Sequence, residues 1–501
     1  MAIFESRLAG AIWLLLGVGP MATAGEGGSE NWPSYLAGQL ADGGEAADVP
    51  QDWTPADVSW STTVEGYGQS SPIVWGDTIY VTSVSGDEKE ALHVTAISLG
   101  DGRVTWRQTF RSTAPETSGY LISRAAPTPA CDGGGLFAYF ESGDLFALDP
   151  RGEPRWHVSL AERFGRFDNK FGLAASPVLT ERAVIVLADH DGPSYVAAFR
   201  REDGSLLWKR DRPSGRSWSS PGIVRVAGRD HLVCSSAGTL EGYDPETGET
   251  LWAHEEIGGN TVATPIDLGG GRFLVASLIR PADGPTAYAT ESNLLARIVP
   301  SGPSVPESQA FRLEVAWVAA KARGSFCSPI ASATQAYWVN PTGVVFCLDL
   351  ASGEERFAER LPCGACWATP HLVGDRVYFF GKEGEATILE DGPEFRVIST
   401  GHRTRSPEDR PPRPEVDDAA DGEPDADDLA AARRRAAAMN AGVTLYAAVR
   451  VGPRLIVRYG DRIDCIGPEV RGGPDRPEVP GGGDERDGGD ERDGGKPDLA
   501  R

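Results

Sequence analysis

Short apolar runs of strand length recur along this chain over 57–400 and again over 443–467, separated by clusters of Gly, Asp, Asn, Ser and Pro. Within a run the residues either alternate apolar with polar or stay apolar throughout, the patterns of half-buried and fully buried strands. Two signals repeat. The first is Ser-Pro or Thr-Pro with a bulky apolar residue eight positions on: Pro72 and Tyr80, Pro129 and Phe137, Pro177 and Ile185, Pro265 and Phe273, Pro329 and Tyr337, Pro370 and Tyr378. A copy with a longer turn starts at Pro221, and a degenerate one places Ala448 where Pro would stand, with Ile456 eight residues later. The second signal is an Asp–Gly turn followed by a large aromatic. It reads "AISLGDGRVTW" (96–106), "ALDPRGEPRW" (147–156), "AFRREDGSLLW" (198–208) and "GYDPETGETLW" (242–252), with Phe357 replacing Trp in "CLDLASGEERF" (347–357).

Together these signals mark eight units, each of strand, turn, strand, turn, strand, turn and an outer strand bearing the aromatic. Four antiparallel strands at this period predict an all-β, eight-bladed β-propeller. Pro opens the innermost strand, where its missing N–H costs little. Asp accepts from backbone N–H groups of its turn and Gly supplies positive φ, so these Asp residues are turn formers and not catalysts. The outer aromatic is expected to wedge against the neighbouring blade, worth about 2–3 kcal/mol per blade. The last unit ends near Gly467 one strand short, and "DVSWSTTV" (57–64) is an unclaimed strand carrying Trp60. Pairing the two would close the ring and remove its edges. Blade five is irregular, with "PSVPESQAFRLEVA" inserted between Gly302 and Trp317.

Composition adds compartment and charge. The N-terminus holds Arg7, an apolar run from Leu8 to Val18, Gly-Pro and Ala22-Thr23-Ala24, which predicts a signal peptide over 1–24. The run is too short for a bilayer-spanning helix. The mature chain is therefore expected to be exported, periplasmic or extracellular, without a transmembrane segment, and monomeric. A net charge of −24 argues against nucleic acid, whose phosphates need a basic surface. Residues 25–56 form an N-terminal extension. The charged, Pro-rich stretch 401–442 is expected to be disordered with a short helix near its end, and the Gly-rich tail 468–501 to be solvated.

The repeats resemble the pyrroloquinoline-quinone-like (quinoprotein-type) propeller superfamily, whose hallmark "SP…G.L.ALD..TG..LW" they follow, and "NWPSYLAG" (31–38) resembles its exported branch. The resemblance implies one of two activities. The dehydrogenase branch carries pyrroloquinoline quinone with Ca²⁺ on the channel axis, a catalytic Asp and a disulfide between adjacent cysteines. The propeller subunit of the outer-membrane β-barrel assembly machinery is a non-catalytic scaffold. Here no Cys-Cys pair exists, no Glu, Asn and Asp set matches a calcium motif, and "CGACW" has Trp367 where haem attachment requires His. The leading expectation is a non-catalytic scaffold for a protein or small ligand, with no metal and no cofactor; the alternative is the quinone- and calcium-dependent dehydrogenase.

The loops leading into the innermost strands should crowd around one channel mouth. They offer Tyr67, Arg124, Lys170, Arg216, Trp218, Asn260, Phe326, Trp367 and Tyr446. These residues either line a basic, aromatic funnel for an acidic peptide, a sugar or a quinone, or simply plug the channel. The seven Cys include one CxxC pair, Cys363 and Cys366. A local disulfide is the expectation for that pair, with free thiols as the alternative; two thiols do not complete a zinc site, although His371 and Cys327 stand near. Cys347 and Cys465 take a small apolar strand position and are expected in the core.

Overall fold

A computed structural model describes residues 31–37, 49–116, 123–236, 238–278, 288–302, 305, 310–405 and 444–468. The expected signal peptide, the tail beyond Pro468 and the stretch 406–443 lie outside the described residues. The strands form eight four-stranded antiparallel sheets. Blade one is built from Ile73–Trp75, Thr78–Ser85, Ala91–Ser98 and Val104–Arg111. Six further blades follow in sequence, and the eighth combines Ala447–Val451, Arg454–Tyr459 and Arg462–Ile466 with Val58–Thr63. Trp60 pairs with Cys465 in that closing strand, so the ring is sealed by sequence-distant hydrogen bonds and no blade is left incomplete. A five-residue helix, Leu160–Phe164, is capped by the Ser159 hydroxyl, which accepts from Glu162 N at 3.1 Å.

The eight-residue spacing becomes register, except in blade five, where Phe273 pairs with Asp267 and the residue after Pro265 pairs with Leu274. Ile73, after Pro72, pairs with Tyr80, and the same pairing links Ala130 to Phe137, Val178 to Ile185, Ile330 to Tyr337 and His371 to Tyr378. In the turns, the Asp149 carboxylate accepts from Arg151 N and Glu153 N, and that of Asp244 from Glu246 N and Thr247 N, at 2.8–3.1 Å.

The outer aromatics join neighbouring blades through one repeated contact. The indole N–H of Trp60 donates to Leu99 O, that of Trp106 to Pro150 O, of Trp156 to Arg201 O, of Trp208 to Pro245 O and of Trp317 to Leu350 O, at 2.8–3.3 Å. Each acceptor lies in the Asp–Gly turn of the next blade, and the turn Gly rests on the ring. A Cβ on Gly248 would stand 2.5 Å from Trp208 Cε3, and one on Gly353 2.6 Å from Trp317 Cδ2. Gly is therefore required twice, for φ of +69 at Gly248 and for the approach of the neighbour's indole. The insertion in blade five breaks the series. Gly302 meets nothing within 4 Å, and Trp252 donates instead to His231 Nδ1 at 3.1 Å inside its own blade. His231 then packs edge-on against Phe311 of blade five.

Two segments differ from the expected boundaries. The outer strand of blade seven is Val397–His402, and Arg403–Arg405 stay packed, with Thr404 Oγ1 donating to the Tyr459 hydroxyl at 2.9 Å. Residues 401–405, expected at the start of the disordered stretch, are therefore part of the fold. The described residues of the N-terminal extension are part of the fold: Val49 and Trp53 are buried against blades seven and eight. Cys347 and Cys465 are fully buried in their strands. Among the described residues no helix is long and apolar enough to cross a membrane.

Candidate functional site

The residue before each inner-strand Pro sets the neck of the channel. Ser71 N donates to Thr128 Oγ1, Thr128 N to Ser176 Oγ, Ser176 N to Ser220 Oγ, Ser220 N to Thr264 Oγ1, Thr264 N to Ser328 Oγ and Ser328 N to Thr369 Oγ1, at 2.9–3.1 Å. The Ser/Thr of the Ser-Pro and Thr-Pro motif thus forms a hydrogen-bonded belt from blade one to blade seven. Its hydroxyls satisfy buried N–H groups that the short inner strands leave without a ladder partner. Blade eight has Ala447 and Ala448 there and cannot continue the belt.

A strap from the N-terminus crosses this neck. Trp32 exchanges two 2.8 Å backbone hydrogen bonds with Val74, Pro33 O accepts from Cys131 N at 2.8 Å, and Leu36 packs beside Ala263 and Ile266. Tyr35 sits between, and its hydroxyl bonds Thr369 and Ser328 at the end of the belt, while burial pushes its phenol up to about 12. Tyr35 lines both large cavities, one of about 510 Å³ on the strap side and one of about 480 Å³ at the mouth. The channel is therefore two chambers divided by a phenol.

The mouth chamber has two aromatic walls. On one side Tyr446 meets Trp367 at 5.9 Å and Trp367 meets Phe326 at 5.0 Å between ring centroids. On the other, Phe171 meets Trp218 at 5.8 Å, and the Trp218 indole donates to Gly172 O at 2.9 Å. Between them lie the hydroxyls of the belt and the Gln69 side chain. Tyr67 stands behind the first wall, its hydroxyl 2.7 Å from that of Tyr446 and the Arg124 guanidinium 3.7 Å above its ring. Burial raises the Tyr67 phenol far above its usual value. Beneath it, fully buried Arg458 donates to Ser70 O, Thr82 O and Gly460 O.

Of the nine residues expected at the mouth, Trp218, Phe326, Trp367 and Tyr446 line the chamber, and Tyr67 and Arg124 support it. Lys170 is exposed on the rim, its Nζ 5.6 Å from the Phe171 ring centroid. Arg216 is tied to Asp191 at 3.0 Å. Asn260 does not face the mouth. It is fully buried, donating to Ser235 Oγ and Thr239 O and accepting from Gly238 N, so it staples a hairpin of blade four. The basic funnel is in fact an aromatic chamber with cations at its rim. The belt, Tyr35 and Phe171 were missed; the recurring Ser/Thr before Pro was a signal for the belt, whereas Tyr35 belongs to no repeat.

The expected disulfide is not formed: Cys363 and Cys366 are free thiols, Cys363 Sγ donating to Phe379 O at 3.8 Å and Cys366 Sγ to Gly364 O at 3.6 Å. The buried carboxylate of Glu141 is already engaged. Glu141 is 7% exposed, 3.3 Å from Lys89 Nζ, and accepts from Ala125 N. Among the described residues no group of three or more His, Cys, Asp or Glu is placed to hold a metal ion. Among the described residues, the chamber's lining holds no Asp, Glu or Asn for the calcium donor set that the dehydrogenase resemblance implied.

Comparison with known proteins places this geometry. A chain from Burkholderia pseudomallei (strain K96243), "Outer membrane protein assembly factor BamB", is 27% identical over 213 residues, 42% of this chain and 51% of the relative. The chain spans about a third to a half of the length of the curated relatives it matches. The crystal structure of BamB from Moraxella catarrhalis aligns with a TM-score of 0.53 at 15% identity, over 83% of this chain and 99% of that one. The quinohemoprotein alcohol dehydrogenase from Comamonas testosteroni aligns with a TM-score of 0.52 at 13% identity, over 91% and 83%. At such identities both show the shared fold alone. The family described as outer membrane protein assembly factor BamB matches residues 51–188 and 166–359, and the chain belongs to it.

Proposed function

We propose that this protein is an exported, non-catalytic scaffold of outer-membrane protein assembly that seats an extended segment of another protein in the mouth chamber. One observation carries the reading: the chamber offers aromatic walls and hydroxyls already bonded to backbone and, among the described residues, no carboxylate set placed for metal or acid–base work. Such a surface holds side chains by burial and directs no reaction.

The test is site-specific photo-crosslinking in the source cell. A photoreactive phenylalanine at Phe326, 37% exposed at the rim, is compared with one at Val104 on the outer face. Crosslinks from position 326 to outer-membrane assembly proteins, absent from 104 and lost with Trp218→Ala/Trp367→Ala, are expected. Identical crosslinks from both positions would remove the chamber as the seat. In parallel, saturable Ca²⁺-dependent quenching of tryptophan fluorescence by pyrroloquinoline quinone would replace the scaffold with the dehydrogenase.

A further inference from the structure

The two chambers share Tyr35, Ser176 and Ser220 but differ in charge. Among the described residues, none that lines the mouth chamber is charged. The strap-side chamber, of about 510 Å³, is walled by the strap and by the inner strands of blades one to five. Two carboxylates hold the same place in it. Asp132 ends the inner strand of blade two and Asp267 that of blade five. Each caps the turn that follows: Asp132 Oδ1 accepts from Gly134 N at 3.0 Å and Gly135 N at 3.1 Å, and Asp267 Oδ1 from Gly269 N at 2.9 Å. They differ at the second oxygen. Asp132 Oδ2 is met by the guanidinium of Arg201, which is itself anchored on Thr180 O at 2.9 Å. Among the described residues no cation meets Asp267; Arg272 of its own hairpin reaches Leu268 O at 3.4 Å instead. The turn needs one acceptor oxygen, which Asn would also supply. The negative charge is left over.

We propose that the strap-side chamber binds a small organic cation, an ammonium or guanidinium on an apolar stem, whose head pairs with Asp267. The stem lies against the half-buried side chains of Leu36, Leu179 and Ile223. A cavity of this volume with apolar walls and few polar groups has the build of a small-molecule site. The charge decides the ligand class. Asp132, Glu181 and Asp267 stand against Arg201 alone, so an anion is repelled and a cation is drawn in. The bound head does for Asp267 what Arg201 does for Asp132. Desolvation lifts the Asp267 carboxyl above its usual value, so the empty chamber holds a charge short of both water and partner. The site is independent of the mouth chamber, from which Tyr35 and the belt divide it.

The experiment titrates the full chain with n-pentylamine, backbone-blocked lysine and n-pentanol, following saturation transfer to the ligand by NMR. Saturable binding of an amine is expected, with pentanol weaker than pentylamine by about tenfold or more. Tighter binding of pentylamine would identify a free amine as the occupant, and tighter binding of blocked lysine a peptide side chain; either supports the site. Asp267→Asn keeps the acceptor for Gly269 N and should weaken amine binding by about tenfold or more. Trp218→Ala/Trp367→Ala, in the mouth chamber, should leave it unchanged. Failure of both amines to bind, equal binding of pentanol and pentylamine, full affinity in Asp267→Asn, or loss of binding in the mouth variant would each overturn the proposal. The amine and alcohol comparison uses the unsubstituted protein, so a variant that misfolds does not shelter the idea.

Discussion

Gly248→Ala tests the inter-blade joint. The new methyl group meets two separate obstacles. Gly248 holds φ +69, where an L-residue other than Gly costs about 1–2 kcal/mol. Its Cβ would also lie 2.5 Å from Cε3 and 2.6 Å from Cδ2 of Trp208. That indole is 7% exposed and tied to Pro245 O at 3.1 Å, so it has little room to retreat. Overpacking of this kind costs about 1–3 kcal/mol, and the expected total is about 2–5 kcal/mol. Gly228 is the internal control: φ is +83 and nothing lies within 4 Å of its Cβ. Gly228→Ala should show the backbone cost alone, about 1–2 kcal/mol. Urea unfolding of both variants, repeated in a Trp208→Ala background, isolates the clash as a coupling energy of about 1–3 kcal/mol. If Gly248→Ala costs no more than Gly228→Ala, or costs the same with Trp208 gone, the joint does not work as described.

Three further outcomes follow from the same structure. Thr264→Val removes the acceptor for buried Ser220 N while keeping the side-chain shape, and should cost about 1–3 kcal/mol by urea midpoint; Thr264→Ser, which retains the hydroxyl, should cost less. Lys89→Met leaves Glu141 buried without its counter-ion, and a loss of about 3–5 kcal/mol is expected, part of it recovered when Glu141→Gln is added. Burial depresses His371 and His231 to about 4 from 6.5. Their stabilisation is complete above the unfolded value and is lost as pH falls from 6.5 towards 4, because only the unfolded chain takes up the proton there. Each should cost about 2 kcal/mol between about pH 7 and pH 5; protonation also turns the His231 Nδ1 that accepts from Trp252 into a donor. Thermal unfolding against pH should flatten in His371→Gln, and an unchanged slope would refute the assignment for His371.

The sequence by itself determined the blades. Pro72 and Tyr80, or Asp244, Gly248 and Trp252, lie within one hairpin, so their spacing encodes register and turn directly, and repetition multiplies the signal. It also carried the closing strand, because Trp60 follows the same outer-strand pattern as its sister copies. The chamber was legible only in part. Trp218, Phe326, Trp367 and Tyr446 could be named from their loops, but so could Asn260, which turns inward to its own hairpin. Loop position says which end of a blade a residue occupies and not which way its side chain faces. Only the tertiary structure decided that Trp208 rests on the glycine of the next blade, that Ser71 through Thr369 form one belt, and that Tyr35 divides the channel. Those contacts join residues from different blades, or from a strap with no repeat, and local pattern carries no information about such partners. Closing the ring creates them, because only then do the inner strands stand close enough for one blade's N–H to reach the next blade's hydroxyl.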